Sequence, residues 1–361
     1  MDLKLFGDCY RNRRVLVTGH TGFKGSWLAL WLKEIGAQVD GISLDPVAGE
    51  NHWELLELEA ADHRQDIRDA GKLAALVRAA RPEMVFHLAA QPLVRRSYRE
   101  PLETWSTNVL GTANLLEACR QASGVKAVVA ITTDKVYANQ ERPTGYREDD
   151  PLGGHDPYSA SKAACEILIE SYRKAFFNGD RGPLLASARA GNVIGGGDWS
   201  DDRLIPDVVR AVSRRQSLVV RSPNATRPWQ HVLDCLAGYL LLGQKLLEAR
   251  RECAVAWNFG PGQEDNRTVA DVLGLLKSHW PELVWEQAKD SQAHEATLLY
   301  LDSTKAKNIL NWRPVWNIEQ ALKATTDWYR QFHAHRAIGS RNQLAGYIND
   351  ARAATASWVQ T

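Results

Sequence analysis

Short apolar runs alternate with amphipathic stretches through the first half of the chain. Val15–Thr18 (VLVT), Gln38–Leu44, Met84–Leu88 (MVFHL), Ala127–Ile131 (AVVAI) and Leu184–Ala188 read as buried strands. Between them, apolar positions recur at helical spacing over about Ser26–Ile35, Asp69–Ala80, Thr104–Gln121 and Tyr158–Phe176. Strands that are apolar on both faces need cover on both faces. The pattern therefore predicts an α/β fold, a Rossmann-type doubly wound parallel sheet with helices on each side. Past about Arg189 the rhythm breaks. Gly191–Asp202 is loop-like, with glycines at 195–197, and is followed by a short helix, a strand Ser217–Val220 and a helix Val232–Leu247. The rest mixes short elements to about His333. We expect a smaller mixed α/β domain folded against the first without a flexible tether. The first domain takes 1–189 with a return segment at about 231–257, the second 190–230 and 258–335, and 336–361 is a C-terminal tail.

Composition excludes more than it selects. Lys plus Arg is 44 and Asp plus Glu is 43, so a net charge of +1 gives no field for nucleic acid or an acidic membrane. An anionic ligand must be met by local arginines. Cys9, Cys119, Cys165, Cys235 and Cys253 are odd in number, widely spaced and form no CxxC pair. That argues against disulfides and zinc and suits the cytoplasm. The N-terminal stretch MDLKLFGDCYRNRR lacks the apolar core of a signal peptide, and no apolar run is long enough to span a bilayer. No His, Cys and carboxylate cluster has metal-ligand spacing, so no metal is expected. His87 and His231 read as structural, and the thirteen tryptophans as packing residues.

Gly19-His20-Thr21-Gly22-Phe23-Lys24-Gly25 lies between the first strand and the first helix. The first glycine permits a tight turn, the second lets backbone approach a pyrophosphate, and the third lets helix and strand pack closely. The helix start then offers N–H groups and a positive dipole end to phosphates. In this context the loop predicts dinucleotide binding. Asp45, closing the second strand, would accept from the adenosine ribose and favour NAD over NADP. Asp66 and Ile67 are candidates for an adenine clamp.

Tyr158-Ser-Ala-Ser-Lys162 places a phenol and an ammonium one helical turn apart. A free phenol, with a pKa near ~10, is a poor base at neutral pH unless cations favour its anion. Thr132-Thr133-Asp134-Lys135 directly follows the strand AVVAI, at the edge where open α/β sheets bind ligands.

These motifs resemble the extended short-chain dehydrogenases/reductases. Within that superfamily, GHTGFKGSWL, VFHLAAQPLVRRSY, STNVLGT, TTDKVY, DPYSASK, RAGNVIGGGDW, RPWQHV and WNFGP resemble the CDP-glucose 4,6-dehydratases, from about Arg14 to about Tyr329. The resemblance implies NAD as cofactor and a redox-neutral reaction. C4 of the sugar is oxidised, water leaves across C5 and C6, and C6 is reduced, giving a 4-keto-6-deoxy sugar nucleotide. Thr133, Tyr158 and Lys162 would be the dehydrogenase triad, and Asp134 and Lys135 the dehydration pair. Related dTDP-glucose dehydratases carry glutamate where Lys135 stands, so Lys135 is either the C5 base or a cation stabilising an enolate. Leu88, Ala89 and Ala90 would line the cofactor. Gln91, Asn192, Arg203, Arg221 and Arg227 would meet the substrate, the arginines suiting its diphosphate. The resemblance further implies a homodimer or a dimer of dimers, with the Thr104–Gln121 and Tyr158–Phe176 helices pairing across a two-fold axis. It suggests a place in bacterial O-antigen and lipopolysaccharide biosynthesis. A nucleotide-sugar 4-epimerase, a dehydratase of another sugar nucleotide, and a non-catalytic NAD- or sugar-nucleotide-binding protein are the competing readings.

Overall fold

Val15, Leu16 and Val17 are wholly buried, as a strand covered on both faces requires. The computed structural model describes residues 4–46, 48–179, 182–288 and 298–359. In it the first six strands are β1 (Arg14–Thr18), β2 (Gln38–Ser43), β3 (Ala61–Arg64), β4 (Met84–His87), β5 (Ala127–Ile131) and β6 (Leu184–Ala190). They join Ala256–Phe259 in one parallel sheet of seven strands. The order is Ala256–Phe259, β6, β5, β4, β1, β2, β3. Strand order reverses between β1 and β4, and a crevice opens there at the carboxyl ends, where such sheets bind ligands.

One face of the sheet is covered by helices Ala70–Ala80, Gly111–Gln121 and Pro157–Ala175, through Leu73, Val77, Leu115, Leu116 and Ile169. The other is covered by α1 (Phe23–Glu34) and by Val232–Leu247, a helix buried along almost its whole length. The chain leaves the sheet after β6, builds the first portion of the smaller part, returns with Val232–Leu247 and the Ala256–Phe259 strand, and then completes the smaller part. A single apolar core runs from the sheet into Ile205, Val208, Leu273, Leu276 and Leu322 of that part.

Three segments differ from the sequence pattern. The helix expected over Thr104–Gln121 is Pro101–Trp105 and Gly111–Gln121 joined by one wider turn, Ser106–Leu110. Buried Asn108 causes the irregularity to be useful. Its amide donates to the Gln91 carbonyl at 3.1 Å and to Ser161 Oγ at 2.9 Å, while Thr112 Oγ1 donates to its carbonyl. The helix His52–Leu56 and the strand β3 (ADHR) carry too little apolar pattern to be read in advance. The segment read as a tail contains a helix, Ser340–Ala353. Tyr347 and Trp358 are buried there against Trp31, and Trp358 stacks on Phe6 at 5.1 Å. Aromatic area adds to a buried stripe of Leu344, Tyr347, Ile348 and Ala351 in holding this segment.

Candidate active site

The turn after β1 is as tight as its glycines allow. Gly19 has φ +75, and a Cβ there would lie 2.6 Å from the Ala89 nitrogen. A Cβ on Gly25 would lie 2.0 Å from the Gly19 carbonyl oxygen. Gly22 caps α1 without a side-chain hydrogen bond, so the first N–H groups of the helix are left for a ligand. This cradle fits the pyrophosphate of a dinucleotide. Gly25→Ala must push apart two backbone segments, at a cost of about 1–3 kcal/mol. It should lower the melting temperature and weaken NAD binding in calorimetry; wild-type values for both would show that the loop tolerates a side chain.

A cleft of about 2260 Å3 opens over this loop. It is lined by Gly19, Thr21, Gly22, Phe23, Lys24, Gly25, Asp66, Ile67, Leu88, Ala89 and Ala90. Farther along it stand Gln91, Thr133, Asp134, Lys135, Tyr158, Lys162, Asn192, Arg203, Arg221 and Arg227. Of the residues singled out in the sequence, Asp45 is the one outside this lining. Its carboxylate is 87% exposed and lies 3.9 Å from Arg64. Asp66 holds Arg68 at 2.6 Å.

Helix Pro157–Ala175 begins with Asp156 accepting from the Ser159 N–H and with Pro157 in its first turn. These two features set the start of the helix at the cleft, so that Tyr158 and Lys162 share its inner face. Lys162 Nζ donates to the Ile131 carbonyl at 3.2 Å, at the end of β5. Burial lowers the pKa of Lys162, and the Lys24 charge lowers it further. Burial pushes the Tyr158 phenol up to about 12, against the opposing pull of a Thr133 hydrogen bond and the Arg203 charge. Among the protein's own groups, burial thus outweighs those that favour the phenolate.

Thr132 and Thr133 follow β5, and the chain then makes a single tight turn, Asp134–Val136. Thr133 Oγ1 donates to Asp134 Oδ1 at 2.9 Å. Asp134 Oδ2 is buried and has no hydrogen-bond partner among the described residues. Burial raises the pKa of Asp134, with Lys135, Thr133, Arg227 and Lys24 pulling the other way. A carboxyl in this state keeps its proton to higher pH than a surface aspartate and offers it from one free oxygen. Behind this turn, Glu166 accepts from Ser187 and pairs with Arg189 at 2.9 Å, fixing the end of β5 through Thr132.

The other candidates divide. Gln91 lines the cleft, but its amide donates to Thr104 and accepts from the Leu93 N–H, so its polar atoms serve the loop. Arg227 is buried near Asp134, and Arg221 lies 3.7 Å from Asp202. His87 is buried between Thr18 and Thr112, and Trp229 is buried with Nε1 donating to the Arg267 carbonyl. Two cleft residues had no motif to mark them as active-site groups. Lys24 sits in a phosphate loop, yet its ammonium reaches Tyr239 at 3.4 Å and acts on Asp134. Asp207 reads as an ordinary residue in the first turn of the helix Leu204–Ser213.

Known proteins carry the same architecture. Residues 16–325 match the family model described as GDP-mannose 4,6 dehydratase. A CDP-glucose 4,6-dehydratase of Salmonella typhimurium is 44% identical over 349 residues, spanning 94% of this chain and 97% of that protein. A dTDP-glucose 4,6-dehydratase of Xanthomonas campestris is 29% identical over 342 residues, 87% of this chain and 92% of that one. Among solved structures, DesIV, a dTDP-glucose 4,6-dehydratase of Streptomyces venezuelae with NAD and TYD bound, superposes with a TM-score of 0.75 at 27% identity. It covers 89% of this chain and 98% of its own. The epimerase Mth375 of Methanothermobacter thermautotrophicus reaches 0.80 at 25% identity, over 92% and 96%. With the glycine cradle, the Tyr158–Lys162 helix and this extent of similarity in hand, the chain belongs to the GDP-mannose 4,6 dehydratase family of extended short-chain dehydrogenases/reductases.

Proposed function

We infer that this chain is an NAD-dependent CDP-glucose 4,6-dehydratase, a hydro-lyase that yields CDP-4-keto-6-deoxyglucose. The observation that carries the reading is the buried Asp134, with a raised pKa and a free Oδ2, in the same cleft as Tyr158 and Lys162. The 44% identity to the Salmonella typhimurium enzyme supports the choice of nucleotide. An epimerase on this fold needs Tyr158 and Lys162 but has no leaving water to protonate, so Asp134 favours elimination.

Gly19, Gly22 and Gly25 cradle the cofactor pyrophosphate, and Leu88, Ala89 and Ala90 line its path. Bound there, NAD+ would supply a hydride acceptor for C4 oxidation, a hydride donor for C6 reduction and a positive charge that favours the phenolate. Tyr158 takes the C4 hydroxyl proton, with Thr133 holding the same oxygen. Lys162, anchored on the Ile131 carbonyl, favours the phenolate that forms. The 4-ketone acidifies the C5 hydrogen. Lys135 takes the C5 proton and returns it to C5 as hydride reaches C6, while Asp134 gives its proton to the departing C6 hydroxyl and regains, through solvent, the one that Tyr158 took. Arg227 and Arg221 hold the diphosphate. Residues 1–189 with 231–257 thus serve the cofactor, and 190–230 with 258–335 the sugar nucleotide. Incubation with CDP-, dTDP-, UDP- and GDP-glucose, followed by assay for a 4-keto product, tests the reading. Turnover of CDP-glucose is expected, and preference for another nucleotide would overturn it.

The enzyme acts as a homodimer in the cytoplasm on this reading, and no described helix is long and apolar enough to cross a membrane. Trp105, Leu110, Ile167 and Phe176 are exposed on the helices expected to pair. Light scattering should give twice the chain mass or a multiple of it; a monomer at micromolar concentration would refute the pairing.

A further inference from the structure

The cleft contains carboxylates that the reaction does not use. The reacting sugar lies at Tyr158 and Asp134, and the Arg227 charge acts on Asp134 from close by. With Arg227 and Arg221 holding the diphosphate, as in the reading above, the sugar nucleotide would run from Asp134 past Arg227 toward Arg221, with its base beyond. There helix Leu204–Ser213 packs against the strand Leu218–Val220, and Leu204, Pro206, Leu218, Val219 and Val220 all line the cleft. Apolar walls of this kind suit a flat ring, whose identity must be read by a few polar groups.

Three carboxylates stand there. Asp201 is 87% exposed. Asp202 is taken by Arg95 at 2.6 Å and lies 3.7 Å from Arg221. Asp207 is half-buried, and the charges of Asp202 and Arg221 both act on it. Its Oδ1 accepts from Arg210 at 2.6 Å, and no described residue bonds its Oδ2. Burial raises its pKa despite Arg210, as expected of a carboxyl turned from bulk water.

Resting on the CDP-glucose reading above, we propose that Asp207 accepts a hydrogen bond from the exocyclic amine of cytosine and so sets the choice of base. At C4 cytosine presents an N–H donor, whereas uracil and thymine present a carbonyl oxygen. A carboxylate accepts from the first and repels the second, so one side chain both attracts the right base and rejects the wrong ones. The contact should be worth about 5- to 150-fold in discrimination, the range of one well-made base contact.

The test uses the full chain with NAD bound, with CDP and UDP as probes in calorimetry and CDP-glucose and UDP-glucose in steady-state assays. Wild-type protein should bind CDP more tightly than UDP. Asp207→Asn keeps the shape and, through its amide oxygen, the bond to Arg210, but can turn an N–H toward a C4 carbonyl. It should shrink or reverse the CDP-to-UDP ratio, with the loss for CDP-glucose falling on KM more than on kcat. Asp207→Ser should shrink the ratio without reversing it. A wild-type ratio in both variants would overturn the proposal, since an ion pair to Arg210 alone would not move base preference. If wild-type protein fails to turn over CDP-glucose while Asp207→Asn still narrows the CDP preference, the substrate reading falls and Asp207 stands.

Discussion

Tyr158→Phe should lower turnover of CDP-glucose by about 10²–10⁴-fold, the usual worth of a positioned acid–base group. The substitution removes one oxygen and leaves a ring of the same shape. Tyr158 is buried at the start of a capped helix, so packing and the position of Lys162 should persist. The loss should appear in kcat, because the phenol acts on the C4 hydroxyl in the transition state rather than on substrate affinity. No reduced nicotinamide should form in a single turnover. A variant with near wild-type turnover would remove Tyr158 from the reaction. Since burial holds the free protein's phenol near 12, NAD binding should lower the pH at which it ionises, measurable as a tyrosinate ultraviolet difference spectrum.

Asp134→Asn should slow overall turnover comparably, about 10²–10⁴-fold, but at a different step. Asparagine retains the hydrogen bond from Thr133 and cannot deliver an acidic proton. Tyr158 and Lys162 are untouched, so C4 oxidation proceeds and water loss lags. Reduced nicotinamide should therefore accumulate on the enzyme in a single turnover. With C5-deuterated substrate, rapid quench should show oxidised sugar before deuterium is lost. Lys135→Met should slow deuterium loss more than C4 oxidation. The wild-type pH profile carries the same signature. Asp134 works with its proton on, so turnover should fall as pH rises through its elevated pKa, and this dependence should vanish in Asp134→Asn. If Asp134→Asn blocks nicotinamide reduction as fully as Tyr158→Phe does, the division of labour is wrong.

Periodicity made the scaffold legible. Ala127–Ile131 and Val232–Leu247 have the limits their apolar patterns predict, because each is buried on nearly every side. The glycine loop was legible because its spacing encodes a backbone path. Side-chain surroundings were not legible. The sequence does not tell that Asp45 is exposed beside Arg64, or that the Gln91 amide bonds Thr104 and the Leu93 N–H. Phosphate-loop spacing does not tell that Lys24 reaches into the catalytic pocket, since the direction follows from Tyr239, 215 residues away. The C-terminal helix escaped because its buried stripe of Leu344, Tyr347, Ile348 and Ala351 is short and lies among polar residues such as Arg341, Asn342, Gln343, Asn349 and Asp350.

The late return of Ala256–Phe259 to the sheet has a consequence for synthesis. Until that strand emerges, β6 is an open edge with an unpaired row of backbone groups and apolar side chains. About 70 residues separate the two, so at ~5–20 residues per second the edge stays open on the ribosome for roughly 4–14 s. The described strands made in that interval pair elsewhere and supply no neighbour to that edge. A nascent chain arrested shortly after Ala190 should thus be held by chaperones or aggregate, whereas one arrested well beyond Phe259 should resist protease.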